Sequence, residues 1–223
     1  VPDCPVRQSP LVEALECCDA LVECAGQEVV TAHAAEILGR GVDLLVTSVG
    51  ALADPEVAER VLAAGPGRLL ITAGAVGGVD VLASAAVHAP LQSVRVSTTK
   101  LPETLLQPWM DASTRRRIAE ATGPVEVFRG GAREAARWFP RSLNVAATVA
   151  LAVGDFAVVE VVLVADPAAE LTAHVIEAEG DAGRYRFEIR NHPSPDNPRT
   201  SGVVPFAVLR SLSVLVGRPV GIV

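Results

Sequence analysis

The sequence has no concentration of positive charge. Its formal net charge is −7, Lys100 is its only lysine, and Arg115–Arg117 form its only basic run. That run lies in a helical pattern, for which a solvated helix face is the ordinary interpretation. Binding to nucleic acid needs a clustered basic surface or basic strands that also carry aromatic residues, and neither pattern is present. The composition therefore argues against a nucleic-acid partner.

The sequence also lacks a disulfide or metal-binding pattern. All four cysteines lie within the first 24 residues without a C-x-x-C pair, and no His/Glu cluster has metal-ligand spacing. No G-x-S-x-G motif marks a nucleophilic serine. We therefore expect no metal, and reduced, mostly buried thiols in a cytoplasmic protein.

We expect neither a signal peptide nor a membrane span. The most apolar stretch is Val145–Val164, but Asp155 and Glu160 within it would each cost about 2.5–3.5 kcal/mol in a bilayer. Gly154 and Asp155 also divide the stretch in half. The pattern instead predicts a buried helix, a turn and a buried strand.

The first third of the sequence alternates short apolar runs with helical patterns. The predicted strands are 20–24, 43–47 and 68–72, with helices at 27–38 and 54–64 between them. Asp54-Pro55-Glu56 is a strong helix start, because aspartate caps a helix and proline fits its first turn. Strands that alternate with helices over short connections form a parallel sheet. Runs this apolar are typical of strands buried on both faces.

After about residue 76 the pattern becomes α+β. Helices are predicted at 79–86, 111–122, 132–138, 144–153 and 201–216, and strands at 91–98, 156–165, 170–179 and 184–191. In the last of these strands Tyr185, Phe187 and Ile189 alternate with charged residues, as in a half-buried antiparallel strand. We expect a sheet with helices covering one of its faces.

Small residues follow all three strands of the first third. They are Cys24–Gly26, Ser48–Ala51 and Thr72–Gly78. Such residues let a backbone approach a ligand, and ligands of α/β proteins bind at the carboxyl ends of the strands. Small residues also make ordinary tight turns, so each loop alone is weak evidence. No G-x-G-x-x-G follows any strand, and the spacing in Thr72–Gly78 differs from that motif.

Two polar residues lie in otherwise apolar elements. His174 is placed in an apolar strand, where a core histidine is the commoner interpretation, and Asn144 begins the most apolar helix, where it would cap the N-terminus. Thr200 or Ser201 would cap the last helix, and the free N–H groups there could hold a carboxylate.

Taken together, several long segments resemble the L-aspartate dehydrogenase family. The matching segments are TSVGALADPE (47–56), RLLITAGAVGGVDVL (68–82), VFRGGAREAARWFPRSLNVAATVALA (127–152), ADP (165–167), HVIEAEG (174–180) and NHPSPDNPRTSG (191–202). The family is similar in shape to dihydrodipicolinate reductase and homoserine dehydrogenase. The resemblance implies a partial Rossmann-type parallel sheet followed by an α+β catalytic domain with a mixed sheet. The expected units are a dinucleotide-binding domain at 1–76, a catalytic domain at 77–200, and a C-terminal helix and tail at 201–223 that pack back on the first unit.

The resemblance also implies a reaction and its residues. NAD or NADP takes a hydride from Cα of L-aspartate, and the iminoaspartate formed either hydrolyses to oxaloacetate and ammonia or feeds NAD biosynthesis. Carried over by position, the catalytic histidine is His174, and the cofactor contacts are Ala75 and Asn144. An imidazole can accept a proton from the substrate ammonium or activate the water that attacks the imine. Chosen by chemistry and position, the candidate donors to the substrate carboxylates are Lys100, Arg199, Thr200 and Ser201.

The sequence departs from the family pattern in three places. Thr72-Ala73-Gly74-Ala75 stands where the family usually has Pro-Ser-Gly-Ala, and Lys100-Leu101-Pro102 replaces Lys-Pro-Pro. The opening βαβ unit with its G-x-G-x-x-G turn is absent, so we expect a truncated chain that binds dinucleotide poorly. The residue that separates NAD from NADP would lie there.

Two alternatives remain open. The chain is either a related reductase of another small acid or an inactive remnant that only oligomerises. The family resemblance predicts a cytoplasmic homodimer.

Overall fold

The chain forms two β-sheets with helices packed between and around them. A computed structural model describes residues 8–140, 144–197, 200–215 and 217. A three-stranded sheet occupies the first third of the chain, and a five-stranded sheet occupies the remainder. The predicted combination of α/β and α+β architecture is confirmed.

The first sheet is entirely parallel, in the order β1-β2-β3. Its strands are β1 (Ala20–Glu23), β2 (Asp43–Val46) and β3 (Leu69–Ile71), preceded by the short helix α1 (Leu11–Ala14). The connections contain α2 (Gln27–Gly39), a 3-10 helix (Val49–Ala53) and α3 (Pro55–Leu62). β2 is almost wholly buried, whereas β1 and β3 are half-buried. The prediction of burial on both faces was therefore right only for β2, which has a neighbour on each side.

The predicted cap at the start of α3 is confirmed. Asp54 Oδ1 accepts hydrogen bonds from the backbone N–H groups of Glu56 at 2.9 Å and Val57 at 3.3 Å. These two donors have no partner within the helix, so the carboxylate stabilises its N-terminus.

The second sheet is mixed, in the order β5-β6-β4-β7-β8. Its strands are β4 (Leu91–Lys100), β5 (Val125–Gly131), β6 (Val159–Ala165), β7 (Thr172–Gly180) and β8 (Gly183–Asn191). β4 and β6 are parallel and the other neighbours are antiparallel. The sequence did not predict β5. It is an edge strand with a register shift between Glu126 and Phe128 and two glycines at its end, so it shows no clear apolar alternation.

The other helices of the described chain connect the two sheets or cover the second one. They are α4 (Val79–His88), α5 (Pro102–Leu105), α6 (Ala112–Ala119), α7 (Ala132–Trp138), α8 (Asn144–Val153) and α9 (Val204–Leu215). α8 packs against α4, α7, β6 and the 3-10 helix, with several small alanines at the contact. It therefore joins the two sheets and places its first residue, Asn144, between them.

The long apolar stretch folds as predicted. α8 ends at Val153, Gly154 turns the chain with φ +75°, and β6 begins at Val159. Within the described ranges, no helix has both the length and the apolarity needed to cross a bilayer.

α9 differs from its predicted bounds. It begins at Val204 rather than at residue 201, so neither Thr200 nor Ser201 occupies the predicted capping position. An isolated antiparallel bridge instead pairs Ser201 with Pro193. No residue of α9 is buried. The packing of residues 201–223 on the first unit stays a prediction.

Candidate active site

A cavity of about 800 Å³ lies at the carboxyl edge of the parallel sheet. All three small-residue loops predicted at that edge contribute to its wall, with Cys24–Gly26, Thr47–Val49 and Thr72–Ala75 on one side. Lys100 and His174 from the second sheet lie on its lining as well. The cavity therefore brings together loops and side chains that are far apart in the sequence.

The loop after β3 is held in place from both ends. Gly74 has φ +62°, and its N–H donates to Thr72 Oγ1 at 3.2 Å. The carbonyl of Ala75 accepts a hydrogen bond at 2.9 Å from Nδ2 of Asn191, the last residue of β8. A Cβ on Gly78 would lie 2.5 Å from the Phe187 ring, so this position also packs directly on β8. The second sheet thus determines where the loop carrying Ala75 lies.

Asn144 uses its side chain across the junction between the sheets. Its Oδ1 accepts a hydrogen bond at 3.0 Å from the N–H of Gly50 in the 3-10 helix. This contact fixes the orientation of the amide, because only the oxygen can accept. The amide Nδ2, which carries two N–H donors, belongs to a residue that lines the cavity.

His174 is almost completely buried, with 1% of its surface exposed. It faces Thr98 across the antiparallel β4–β7 pair, and its Nδ1 lies 3.0 Å from Thr98 Oγ1. Because Nδ1 is engaged with Thr98, Nε2 is the ring atom left for a ligand. Burial, together with the smaller effect of the nearby Lys100 ammonium, lowers the pKa of His174 to about 3. The imidazole is therefore neutral at pH 7.

Lys100 is the last residue of β4, two residues after Thr98 and on the same side of the strand. Only 6% of its surface is exposed. Burial lowers the pKa of Lys100 to about 8, so the ammonium form still predominates at pH 7. Among the described residues that line the cavity, Lys100 and His174 are the ones with basic side chains.

The pKa of His174 predicts a pH-dependent stability. The unfolded chain binds a proton at this imidazole below about pH 6.5, whereas the folded chain does so only near pH 3. The contribution of His174 to stability is therefore complete above pH 6.5 and is lost as the pH falls toward 3, by about 1.4 kcal/mol per pH unit at most. Urea unfolding at several pH values should show that the free energy of unfolding falls less steeply with decreasing pH in His174→Gln than in wild type.

The control for this experiment is His88→Gln, at an exposed histidine at the end of α4. That variant should reproduce the wild-type profile. Identical acid slopes in wild type and His174→Gln would contradict the buried, neutral state of the imidazole.

The chain after β8 supplies one amide and two hydroxyl groups to the cavity. Asn197, Thr200 and Ser201 are on its lining. The N–H of Ser194 donates to the Thr200 carbonyl at 2.7 Å, and the N–H of Gly202 donates to the His192 carbonyl at 2.8 Å. Arg199, a predicted carboxylate donor, lies outside the described residues.

The sequence did not identify Glu23, which is buried at the end of β1 with 6% of its surface exposed. Its Oε1 accepts from the N–H groups of Ala25 and Gly26, both at 2.7 Å, and from Ser48 Oγ at 2.9 Å. Its Oε2 accepts from the N–H groups of Thr47 at 3.3 Å and Ser48 at 2.9 Å. One carboxylate therefore joins the loops that follow β1 and β2.

The residues present fit a dinucleotide at the loop side of the cavity. The three loops contribute side chains no larger than valine or threonine to that wall, with Gln27 and Glu28 lining it beside the first loop, and a Cβ on Gly26 or Gly74 would meet nothing within 4 Å. A flat ring with an amide substituent can approach such a wall closely, and Asn144 offers it amide N–H donors. Across the described ranges, no group of three or more His, Cys, Asp or Glu side chains is placed to hold a metal ion.

Comparisons with known proteins agree with this architecture. The family model described as aspartate dehydrogenase, C-terminal, matches residues 80–215, and that of the homoserine dehydrogenase NAD-binding domain matches residues 3–66. The chain is 41% identical over 199 residues to an L-aspartate dehydrogenase of Ruegeria pomeroyi, covering 87% of this chain and 70% of that protein. It is 37% identical over 212 residues to one of Pseudomonas aeruginosa, covering 93% and 78%. A crystal structure of aspartate dehydrogenase from Thermotoga maritima superposes with a TM-score of 0.75 at 30% identity, covering 99% of this chain and 83% of that one.

The first sheet is parallel and of the NAD-binding type. The mixed sheet places a buried histidine and a buried lysine at the cavity that both sheets line. Together these features define a dehydrogenase. The matches identify it more narrowly. The chain belongs to the aspartate dehydrogenase family, as the sequence segments indicated.

Proposed function

We propose that the protein oxidises L-aspartate with NAD(P)⁺, giving iminoaspartate, NAD(P)H and a proton. Water then converts iminoaspartate to oxaloacetate and ammonia. The observation that carries this proposal is the pairing, in one cavity, of a buried imidazole and a buried ammonium with a facing wall of small-residue loops. The family to which the chain belongs supports the choice of aspartate as the substrate.

The small-residue side holds the dinucleotide. A dinucleotide bound there would supply the acceptor for the hydride that leaves Cα of the substrate. We assign Ala75 and Asn144 to its binding, because Ala75 lies on the loop fixed by Asn191 and Asn144 presents amide donors. Both residues come from elements whose positions depend on the contact between the two sheets.

His174 handles the proton of the reaction. With the ring protonated at Nδ1 and donating to Thr98 Oγ1, Nε2 carries the lone pair that accepts a proton from the substrate ammonium or from the attacking water. The anionic carboxylates of a bound substrate would raise the pKa of His174 from its low value in the free protein, because nearby negative charge favours the imidazolium. The imidazole then becomes a better base when aspartate is present.

Lys100 binds a substrate carboxylate. Its ammonium is buried at the same cavity as His174, and an ammonium removed from water makes strong charge-assisted hydrogen bonds. Thr200 and Ser201 add hydroxyl groups on the cavity wall. A dicarboxylate substrate needs several such donors, which suits this part of the lining.

The test is to mix purified protein with L-aspartate and either NAD⁺ or NADP⁺ and to measure reduced dinucleotide, oxaloacetate and ammonia. All three products should appear together. L-Glutamate, D-aspartate and L-malate serve as comparison substrates. A clear preference for one of these over L-aspartate would instead favour a related enzyme of another small acid. A flat dinucleotide titration would favour the remnant that only oligomerises.

The remaining implications of the family stay predictions. They are the division into units at 1–76, 77–200 and 201–223, the homodimer, the cytoplasmic location and the supply of iminoaspartate to NAD biosynthesis. Light scattering coupled to size exclusion tests the homodimer directly.

A further inference from the structure

The buried carboxylate of Glu23 has an unusual concentration of donors. Four backbone N–H groups and one hydroxyl, all within 3.3 Å, point at its two oxygens. Ala25 and Gly26 follow Glu23 closely in the chain, in the loop after β1. Thr47 and Ser48 lie 24 and 25 residues further along, in the loop after β2. A single side chain thus determines how two separate loops lie against each other.

Both loops are helix starts. Gly26 is the residue that precedes α2, and Ser48 is the residue that precedes the 3-10 helix. Neither position has a side-chain cap from its own segment. Glu23 therefore supplies the negative charge and the acceptors for the N-terminal ends of two helices at once.

The contacts continue from Glu23 to the cavity wall. Ala25, Gly26 and Ser48, whose N–H groups it holds, all line the cavity. Two residues after Ser48, the N–H of Gly50 donates to Asn144 Oδ1. The short backbone segment from Ser48 to Gly50 is therefore held by Glu23 at one end and by Asn144, the amide that we assign to the dinucleotide, at the other.

We infer that Glu23 is a positioning residue that shapes the loop side of the cavity for the nicotinamide ring of the dinucleotide. The inference rests on the proposed function. The Glu23 carboxylate already accepts the N–H groups of Gly26 and Ser48, so these donors are taken from a phosphate, which the negative charge of Glu23 would also repel. This end of the cavity therefore accepts the ring of the dinucleotide and not its pyrophosphate.

The test compares Glu23→Gln with Asp43→Asn. Asp43 is a matched control, since it joins β2 to the start of β3 at the opposite edge of the same sheet. It accepts from the Arg68 N–H at 2.7 Å and from the Arg68 guanidinium at 2.6 and 3.0 Å. Both substitutions remove a charge that connects neighbouring strands, but only Glu23 is next to the cavity.

Glu23→Gln should raise KM for the dinucleotide at least about tenfold and leave KM for L-aspartate within about twofold, because its effect is confined to the loops. Asp43→Asn should leave both constants within about twofold. Amide hydrogen exchange without dinucleotide gives a second readout. The Ala25, Gly26 and Ser48 amides should exchange at least about tenfold faster in Glu23→Gln and at the wild-type rate in Asp43→Asn.

Equal dinucleotide KM values in the two variants would overturn the inference, even if Glu23→Gln were less stable. Where Glu23→Gln does not fold, Ser48→Ala removes one donor to Glu23. It should raise the dinucleotide KM in the same direction by a smaller factor, and an unchanged KM would overturn the inference. If the wild-type protein does not oxidise aspartate, the proposed function fails. The dissociation constant for the dinucleotide, measured calorimetrically, and the exchange rates then decide the role of Glu23.

Discussion

Replacing His174 with alanine should lower kcat at least about a hundredfold, the size expected when a general base is lost. The substitution removes Nε2, the ring atom left for the substrate once Nδ1 is engaged with Thr98. KM for the dinucleotide should change little, because His174 belongs to the second sheet and the dinucleotide is assigned to the loops of the first. Steady-state kinetics with L-aspartate at saturating dinucleotide measures the effect.

Two controls separate catalysis from folding in this experiment. His88→Ala removes an exposed histidine at the end of α4 and should keep wild-type kcat. His174→Gln fills more of the buried space than alanine does and should still lose most of kcat. Circular dichroism and Tm establish that each variant folds. Near-normal turnover in a folded His174→Gln protein would remove His174 from the catalytic role.

Replacing Lys100 with methionine should raise KM for L-aspartate roughly 10- to 100-fold, with a smaller effect on KM for the dinucleotide. The estimate follows from the loss of one charge-assisted hydrogen bond to a carboxylate, which is worth about 1.5–3 kcal/mol. Methionine has a similar length and needs no hydration, so the buried position accepts it. The matched control is Arg95→Met, which removes an exposed cation from the same strand, paired with Glu160 outside the cavity. An unchanged aspartate KM in a folded Lys100→Met protein would show that Lys100 does not bind the substrate.

The same residue predicts how affinity for aspartate depends on pH. Because the pKa of Lys100 is lowered to about 8, the ammonium loses its proton as the pH rises through that value. KM for aspartate should therefore increase above about pH 8 in wild type, and this increase should be absent in Lys100→Met. Removing the ammonium also raises the pKa of His174, since Lys100 is the second cause of its depression after burial.

Local sequence patterns were sufficient for most elements of the fold. The cap at Asp54, the apolar runs of β1 to β3 and the alternation in β8 depend on neighbouring residues alone, and each matches the structure. β5 has no such signal, because an edge strand with a register shift needs no regular apolar side. α9 begins later than predicted because residues 193 and 201 form a bridge between separate segments.

The sequence by itself determined the fold class and the family, since both follow from short patterns and matching segments. Its assignment of His174, Ala75 and Asn144 to the site stays a prediction. Only the tertiary structure decided which of these residues meet and in what electrostatic state. The depressed pKa values of His174 and Lys100 come from burial between strands that are distant in sequence. Glu23 is a lone acidic residue in the sequence, and its importance depends on donors that reach it from a second loop. Burial and long-range hydrogen bonds exist only once the chain is folded, so local patterns carry no record of them.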